Sequence, residues 1–478
     1  MAMLGMRGTG DWAPNERPTN IRETILYLYP HGSAPLTAIM SKMGSESVDD
    51  PAFSWWTKMK STTQGPVTET DDLEVTSVKG SVITVVLPSR TAAANAGAMP
   101  KPPIPPAQPD GMPDPLYGGL TSPNRMARTD RTSVNSYATL IRPGHQILLQ
   151  NTAAPTFSLN GKVLTVTPGA SDVTTLTVQL NENAYTGAAD VNFFQIIGNI
   201  NPEGGEMPDA ISYDPVQVWN YTQIFRTPLS ITRTAQKTHT RTGNKYKELR
   251  REALEMHSWE MEKAFIFGQK NMITAPNGQP ERTTCGIINF IKSLAPNNFF
   301  DATSTANAAG ITQGTGGWTN TVNGITNGER FLDGVFEFLF RYGKQERLIL
   351  CGNSALLAFN NIAKASGSIN IAPKAETWGL DIRRWVTPFG TLNLMTHPFF
   401  NDSPIERSMA LVLDPAQLKF KYIDDTSFFG EDGKNRATGT GHNRIDGLKE
   451  EYLTEAGLSF GLPQVCGVIY NVGKDRTA

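Results

Sequence analysis

Three cysteines in 478 residues, Cys285, Cys351 and Cys466, are odd in number, far apart and free of CxxC spacing, which excludes a disulfide framework or a thiolate zinc site. They read as small, reduced, apolar residues. The six histidines (His31, His145, His239, His257, His397, His442) never stand three or four residues from one another or from a cysteine, so no metal constellation is legible. Long apolar runs are also lacking. A strongly apolar stretch such as Val82 to Leu87 is far too short for a bilayer and the N-terminus has no apolar signal region, so a soluble, cytoplasmic chain without a membrane partner is expected. With 43 basic against 45 acidic side chains the formal charge is -2, which gives no bulk case for binding a polyanion.

Catalytic motifs are missing as well. Ser354, in "GNSAL", stands where a strand meets a helix, but GxSxG is absent and an N-cap role explains it. "ATGTGHNR" lacks the GK[ST] of a phosphate cradle and reads as a polar loop. Asp424 and Asp425 read as exposed charge. No catalytic residue and no cofactor site is assigned, and the expectation is a protein that is not an enzyme.

What is abundant is Gly (43) and Pro (32), the signature of strands interrupted by turns, in a chain long enough for two or more packed units. The reading along it starts with one helical stretch, "NIRETILYLY", in an otherwise extended arm. Two β-prone runs follow in "VTETDDLEVTSVKGSVITVVLPSR", then a Pro-rich tract. From Ser136 to Asn199 short β-prone runs predict an inserted β-rich domain with its own core of Leu140, Ile147, Leu149, Val163, Leu164, Val178, Phe194 and Ile196. Asn160-Gly161 predicts a hairpin turn there. Excising this segment should leave a soluble subunit.

The ribbon "NYTQIFRTPLSITRTAQ" then runs into a helix over Asn244 to Gly268, about 37 Å long, with Leu249, Ala253, Met256 and Phe265 on its buried face. Gly268 is its expected stop. Downstream, "GERFLDGVFEFLFRYG" predicts a helix ended by Gly343, "RLILCG" a buried strand, and "NSALLAFNNIAK" a helix capped by Asn353 or Ser354. A hairpin is expected at Pro388 to Gly390, a strand pair in "MALVLDPAQLKFKYI", and two closing strands after it. The fold class expected is α+β.

One local charge imbalance stands out. Between Arg226 and Arg251 lie eight basic residues (Arg226, Arg233, Lys237, Arg241, Lys245, Lys247, Arg250, Arg251) and one acid, Glu248, a net of +7. Three readings stay open: a solvated face, pairing with acidic segments of a neighbouring chain, and contact with packaged nucleic acid. The acids available for such pairing are Glu69, Asp71, Asp72 and Glu74.

The order of arm, hairpin excursion, long helix, α/β unit and closing strands resembles the major capsid proteins of tailed bacteriophages, the Hong Kong 97 fold. More narrowly, "NYTQIFRTPLSITRTAQ", "EKAFIFGQK", "RTTCGIINFI", "VTPFGTLNLMTHPFF" and "EEYLTEAGLSFGLPQVCGVIYNV" are similar to the major head protein family typified by phage SU10. The resemblance implies an N-terminal arm at 1–65, an extended (E) loop with the Pro-rich excursion at 66–135, the β-rich insertion at 136–205 and a peripheral (P) domain with its spine helix at 206–300. An axial (A) domain at 301–410 and strands returning to A and P domains at 411–478 complete it. It further implies hexamers and pentamers in an icosahedral head around double-stranded DNA, a portal protein at one vertex, scaffolding and decoration proteins as possible partners, and location in the virion after assembly in the host cytoplasm. With the chain beginning at Met1, scaffolding is expected to be a separate protein or absent. In that architecture the E-loop lies over a neighbouring subunit, which makes Glu69, Asp71, Asp72, Glu74, Arg226, Arg233, Lys237, Arg241 and Lys245 the candidate subunit contacts.

Overall fold

The computed structural model describes residues 45–57, 64–71, 73, 77–88, 137–152, 157–170, 173–184, 191–208, 216–238, 244–304, 311–313, 317–322, 325–366, 375–377, 380–430 and 447–475. The expected helix "NIRETILYLY", the Pro-rich tract and the "ATGTGHNR" loop lie outside them. The described residues fall into two compact units. The smaller draws on Phe225–Glu260 and Asp425–Thr454, the larger on Ala34–Ile224, Met261–Asp424 and Glu455–Ala478. Helices and extensive sheets coexist, so the class is α+β.

In the larger unit β1 (Ser45–Ser47) pairs in parallel with Phe420 to Tyr422, and β2 (Ala52–Thr57) pairs with β10 (Val216–Tyr221). A seven-stranded antiparallel sheet is built from β3 (Gln64–Pro66), β4 (Glu69–Asp71), β5 (Val82–Leu87), β6 (His145–Gln150), β7 (Ser158–Pro168), β8 (Thr174–Leu180) and β9 (Phe193–Asn199), in the order β3-β9-β6-β7-β8-β5-β4. Every second residue of β5 and β8 is buried, the period of a strand with one face on a core.

This sheet corrects the expectation of an insertion with a core of its own. Ile83, Val85 and Leu87 from the presumed loop hairpin share one core with Leu140, Ile147, Leu149, Val163, Val178 and Phe194. Ile196 packs only at its margin, and Leu164 is half-buried at a register shift between Val163 and Thr165. Residues 64–88 and 137–199 are therefore one folding element, closed by pairings across more than a hundred residues.

Asn160-Gly161 is not a turn either. Both residues lie inside β7, and neither has the positive φ that a two-residue turn of this kind needs. A Cβ on Gly161 would meet Val178 Cγ1 at 2.4 Å, so the glycine lets β8 approach closely. Asn160 is held by Glu182, whose carboxylate accepts from its backbone N–H at 2.5 Å and its side-chain amide at 3.1 Å.

A second sheet of seven strands comprises β14 (Phe299–Asp301), β17 (Glu346–Cys351), β18 (Ala375–Thr377), β19 (Leu380–Thr387), β20 (Gly390–Thr396), β21 (Ala410–Leu413) and β24 (Gly467–Tyr470), ordered β14-β24-β21-β17-β20-β19-β18. The hairpin of β12 (Asn271–Thr274) and β13 (Pro280–Thr283) precedes this sheet in sequence, and the short pair β15 (Thr321–Val322) with β16 (Ile325–Thr326) falls between β14 and β17. The expected helices appear as α4 (Asn327–Phe340) and α5 (Asn353–Ser366). Thr326 caps α4 by accepting the Glu329 N–H at 3.2 Å, and Gly343 follows it with φ +82°. At the start of α5 the cap comes from elsewhere: Asn353 donates its N–H to Asn401 Oδ1 at 2.8 Å. The hairpin at Pro388 to Gly390 joins β19 and β20 as expected. The expected strand pair after Met409 is not one, because β21 and β22 (Leu418–Gly430) belong to different sheets.

The smaller unit takes residues from β11 (Gln223–Thr232), α1 (Arg233–Lys237), α2 (Lys245–Phe267), β22 and β23 (Gly447–Phe460), with strand order β22-β23-β11. The long helix ends at Phe267, as Gly268 predicted. Of its expected buried face Ala253 and Phe265 are buried and Leu249 is half-buried, but Met256 is 50% exposed and the adjacent His257 is buried in its place. Helix α3 (Ile287–Leu294) completes the set. All three cysteines are free and buried, and burial pushes the thiols of Cys285 and Cys466 up to about 11 and about 12.

Two outcomes check these assignments. Gly161→Ala is expected to cost about 1–3 kcal/mol through overlap with Val178, read as a lowered midpoint in thermal or denaturant unfolding; a turn glycine facing solvent would not report on Val178→Ala, whereas this one should be partly rescued by it. Excising residues 136–199 removes β6 to β9 and uncovers Ile83, Val85 and Leu87, so insoluble chain is expected in place of a soluble subunit.

Candidate assembly surface on the ribbon and spine helix

The ribbon strand β11 alternates without interruption. Phe225, Thr227, Leu229 and Ile231 are buried, while Ile224, Arg226, Pro228, Ser230 and Thr232 face out. Its inner face meets α2 through a small core of Leu229, Ala253 and Tyr452, flanked by Tyr246 and Phe428. The strand leads into the short α1, not directly into the long helix, and α2, 23 residues or roughly 35 Å long, packs on its inner face to make a bracket with a polar outer edge.

Much of the positive charge counted in the sequence is matched within the chain. Arg226 makes a two-pronged pair with Glu451, at 3.0 Å from Nε and 2.6 Å from Nη2. Lys245 pairs with Glu248 at 2.6 Å, and Arg251 with Glu255 at 3.3 Å. The Arg250 guanidinium lies 3.9 Å from the centre of the Phe428 ring and donates to Tyr452 Oη at 3.3 Å. The neighbouring carboxylate Glu450 accepts from Tyr246 Oη at 2.6 Å. Arg233 and Lys237 both stand exposed on α1, and Lys247 is exposed on α2. Among the described residues no carboxylate pairs with Lys237 or Lys247.

The acidic candidates belong to the larger unit. Glu69 and Asp71 are in β4, whose partners in β5 run from Thr84 to Val86. Asp72, Glu74 and Arg241 lie outside the described residues. The first-described segment of the N-terminal region is pinned by charge as well: Glu46 on β1 accepts from Lys419 at 2.5 Å and from Lys421. These two ammonium groups pull its carboxyl down to about 2.

Sequence reasoning missed three buried polar groups. Asn220 donates through Nδ2 to Leu458 O at 2.7 Å and Thr284 Oγ1 at 3.0 Å, and its Oδ1 accepts the Cys285 N–H at 2.8 Å. His397 Nε2 meets Glu262 Oε1 at 2.8 Å, both side chains being wholly buried. His257 stands between Thr227 and Thr454, both within hydrogen-bond distance. Helical phase was the available signal for His257, since it lies four residues after Ala253. A hydroxyl beside an imidazole invites a catalytic reading, but His257 and Thr454 are both fully enclosed, so no solute can reach the pair. Among the described residues no cluster of three or more His, Cys, Asp or Glu side chains could hold a metal ion, and no helix is long and apolar enough to cross a membrane.

Residues 9–473 match a family described as SU10 major capsid protein. A relative described as the major capsid protein of Pseudomonas phage PaMx41 is 27% identical over 292 residues, 59% of this chain and 66% of the relative, so the match spans just under two thirds of that protein's length. Solved structures with some likeness include that of Mycobacterium phage Bobi, at 9% identity and TM-score 0.35 over 72% of this chain and 93% of the other. The capsid of Myoviridae phage XM1 is similar at 9% identity and TM-score 0.33 over 68% and 89%.

The buried face of α2 generates a paired expectation. Ala253→Asp places an unpaired charge against Leu229 and Tyr452 and should destabilise the smaller unit by several kcal/mol. Met256→Asp, on the exposed side, should stay within about 0.5 kcal/mol of the parent. Denaturant midpoints of the two variants check the assignment, and the reverse ranking would show the helix rotated. For Glu46 the sign follows from a lowered carboxyl: the contact holds β1 in full above about 4.5, its ordinary value, and is lost as pH falls toward about 2. Hydrogen exchange at Ser45 to Ser47 should therefore rise over that window, and Glu46→Gln should abolish the pH dependence.

Proposed function

We propose the role of this chain from one premise: it belongs to the SU10 major capsid protein family. It is a structural subunit, the major capsid protein of a tailed bacteriophage, whose copies associate into hexamers and pentamers of an icosahedral head around double-stranded DNA. Its place is the virion. The observation that carries this reading is the family match across residues 9–473, nearly the whole chain. A portal protein at one vertex, together with scaffolding and decoration proteins, would complete the particle, and the role is mechanical rather than enzymatic.

In this reading the bracket of ribbon and spine helix belongs to the peripheral domain, and the seven-stranded sheet with α4 and α5 to the axial domain. The sheet from 64–88 and 137–199 is then an enlarged E-loop base, and it takes the place of a hairpin followed by a separate insertion. Edges and arms too polar to bury at home are buried against neighbours when such plates tile. Purification followed by light scattering and electron microscopy tests the proposal. Closed shells of megadalton mass are expected; a monodisperse small oligomer would overturn it.

The charge imbalance is part of the same proposal, in narrowed form. Arg226 and Lys245 have carboxylate partners in their own chain. Inter-subunit pairing is assigned to α1 on the exposure of Lys237, with Arg233 on the same helix and Arg241 beyond it in sequence. Their counterparts are Glu69, Asp71, Asp72 and Glu74 of a neighbouring subunit. Each exposed pair contributes only about 0–1 kcal/mol, but the contact recurs at every local interface of a lattice. Asp71→Lys with Asp72→Lys should reduce empty-shell assembly, and adding Arg233→Glu with Lys237→Glu should partly restore it. Normal empty shells from the first variant, with salt-sensitive DNA retention in the parent that weakens on changing the cations, would instead place these side chains against phosphates.

A further inference from the structure

His257 is wholly buried, yet each ring nitrogen has a polar partner: Nδ1 lies 3.0 Å from Thr227 Oγ1 and Nε2 lies 2.7 Å from Thr454 Oγ1. The line continues at both ends. Thr227 donates to Glu260 Oε2 at 2.9 Å, and Thr454 Oγ1 stands 2.9 Å from Thr426 Oγ1. Four elements are thereby threaded in one row: β22 by Thr426, β23 by Thr454, α2 by His257 and Glu260, and β11 by Thr227.

Hydrogen counting makes this row unusual. A threonine hydroxyl has one proton to give and can accept another. With neutral His257, Thr426 donates to Thr454, Thr454 to Nε2, Nδ1–H to Thr227, and Thr227 to Glu260, so every link carries one proton. With protonated His257, Nε2–H donates to Thr454, which turns to donate to Thr426, and the rest is unchanged. Both states are fully hydrogen-bonded, and passing between them needs only the Thr426 and Thr454 hydroxyls to reorient. Both ends are exposed, Thr426 at one and Glu260 at the other. A proton from water can bind the Thr426 oxygen while the hydroxyl's own proton moves to Thr454 and that of Thr454 moves to Nε2. The net change is one proton taken from solvent and one N–H bond formed on His257.

What changes is charge. Phe225 packs edge-on to the imidazole at 6.5 Å between ring centres, and Tyr452 lies 6.1 Å away. From β11 the facing groups are Phe225 and Thr227, from β23 Tyr452 and Thr454, and from β22 Thr426, none charged at neutral pH. The charged group acting on the ring is Glu260 of its own helix, one hydroxyl removed. We propose that His257 is a proton-operated latch, charged through Thr426 and Thr454, and that proton uptake loosens the grip of the spine helix on the strands of the smaller unit. Burial lowers the proton affinity of His257 below its ordinary value of 6.5, with Glu260 opposing in part. The latch is thus fully closed above about 6.5 and weakens as pH falls from there toward the lowered value of the folded protein.

The test is hydrogen exchange of the full, unassembled chain between pH 5.5 and 7.5, with rates corrected for the intrinsic effect of pH, so it does not depend on shell formation. In the parent, protection of residues 245–260 and 447–454 should fall by up to about tenfold per pH unit below 6.5, the slope for one proton. His257→Gln can still bond both threonines but does not titrate, and its profile should be flat. A flat parent profile, or the same slope in His257→Gln, overturns the latch. Should that variant fail to fold, Glu260→Gln decides: removing the one supporting carboxylate must extend the fall to lower pH, and an unchanged profile overturns the proposal.

Discussion

A single buried amide holds together the place where the larger unit's chain crosses itself. Asn220, fully enclosed at the end of β10, ties that strand to the segment after β13 and to β23 by bonding Thr284, Cys285 and Leu458. Backbones meet closely around it. A Cβ on Gly457 would lie 2.6 Å from Tyr221 O, and one on Gly286 would lie 2.7 Å from both Ile266 O and Gly268 N. Carbonyls and amides brought this near without water must be paired, since an orphaned buried polar group costs about 1–3 kcal/mol. One asparagine supplies donors and acceptor that join its own strand to two segments far away in sequence, and the ribbon begins three residues after it.

Local chemistry was legible in the sequence where it acts locally. Gly268 and Gly343 mark helix ends because a left-handed or crowded backbone position needs glycine, and Thr326 with Glu329 forms the first turn of α4 by contacts three residues apart. The alternation of helix, buried strand and helix from Asn327 to Ser366 follows from periodicity alone. Asn160-Gly161 shows where this reasoning stops. The dipeptide satisfies the rule for a tight turn, but what selects the glycine is Val178 on another strand, a neighbour that no window around residue 161 contains. The union of residues 64–88 with 137–199 was hidden for the same reason: pairing partners such as Val85 and Leu176 are ninety-one positions apart (176 minus 85).

Charge was read correctly as a count and incompletely as a distribution. Eight cations crowd one stretch of sequence, but the partners of Arg226 and Arg250 arrive on β23, about two hundred residues later, as the Glu451 carboxylate and the Tyr452 hydroxyl. A run of like charge is thus a statement about the local chain, and folding decides how much of it stays available. On the spine helix the same distinction appears as phase: Met256 is the apolar residue, but the inward position belongs to His257, because Thr227 and Thr454 make a polar slot that an imidazole fills and a thioether would leave unbonded.

The three enclosed thiols set the chemistry of the chain's surroundings apart from its own. A thiol reacts with oxidants, other thiols or soft metals chiefly as the thiolate. Cys285 and Cys466 are raised to about 11 and about 12, and Cys351 lies with no exposed area in the α/β core. No thiol is therefore offered at the surface of the described residues. A chain of this kind can pass from a reducing compartment to an aerated medium with its covalent connectivity unchanged, and its durability in either is a matter of packing rather than redox state.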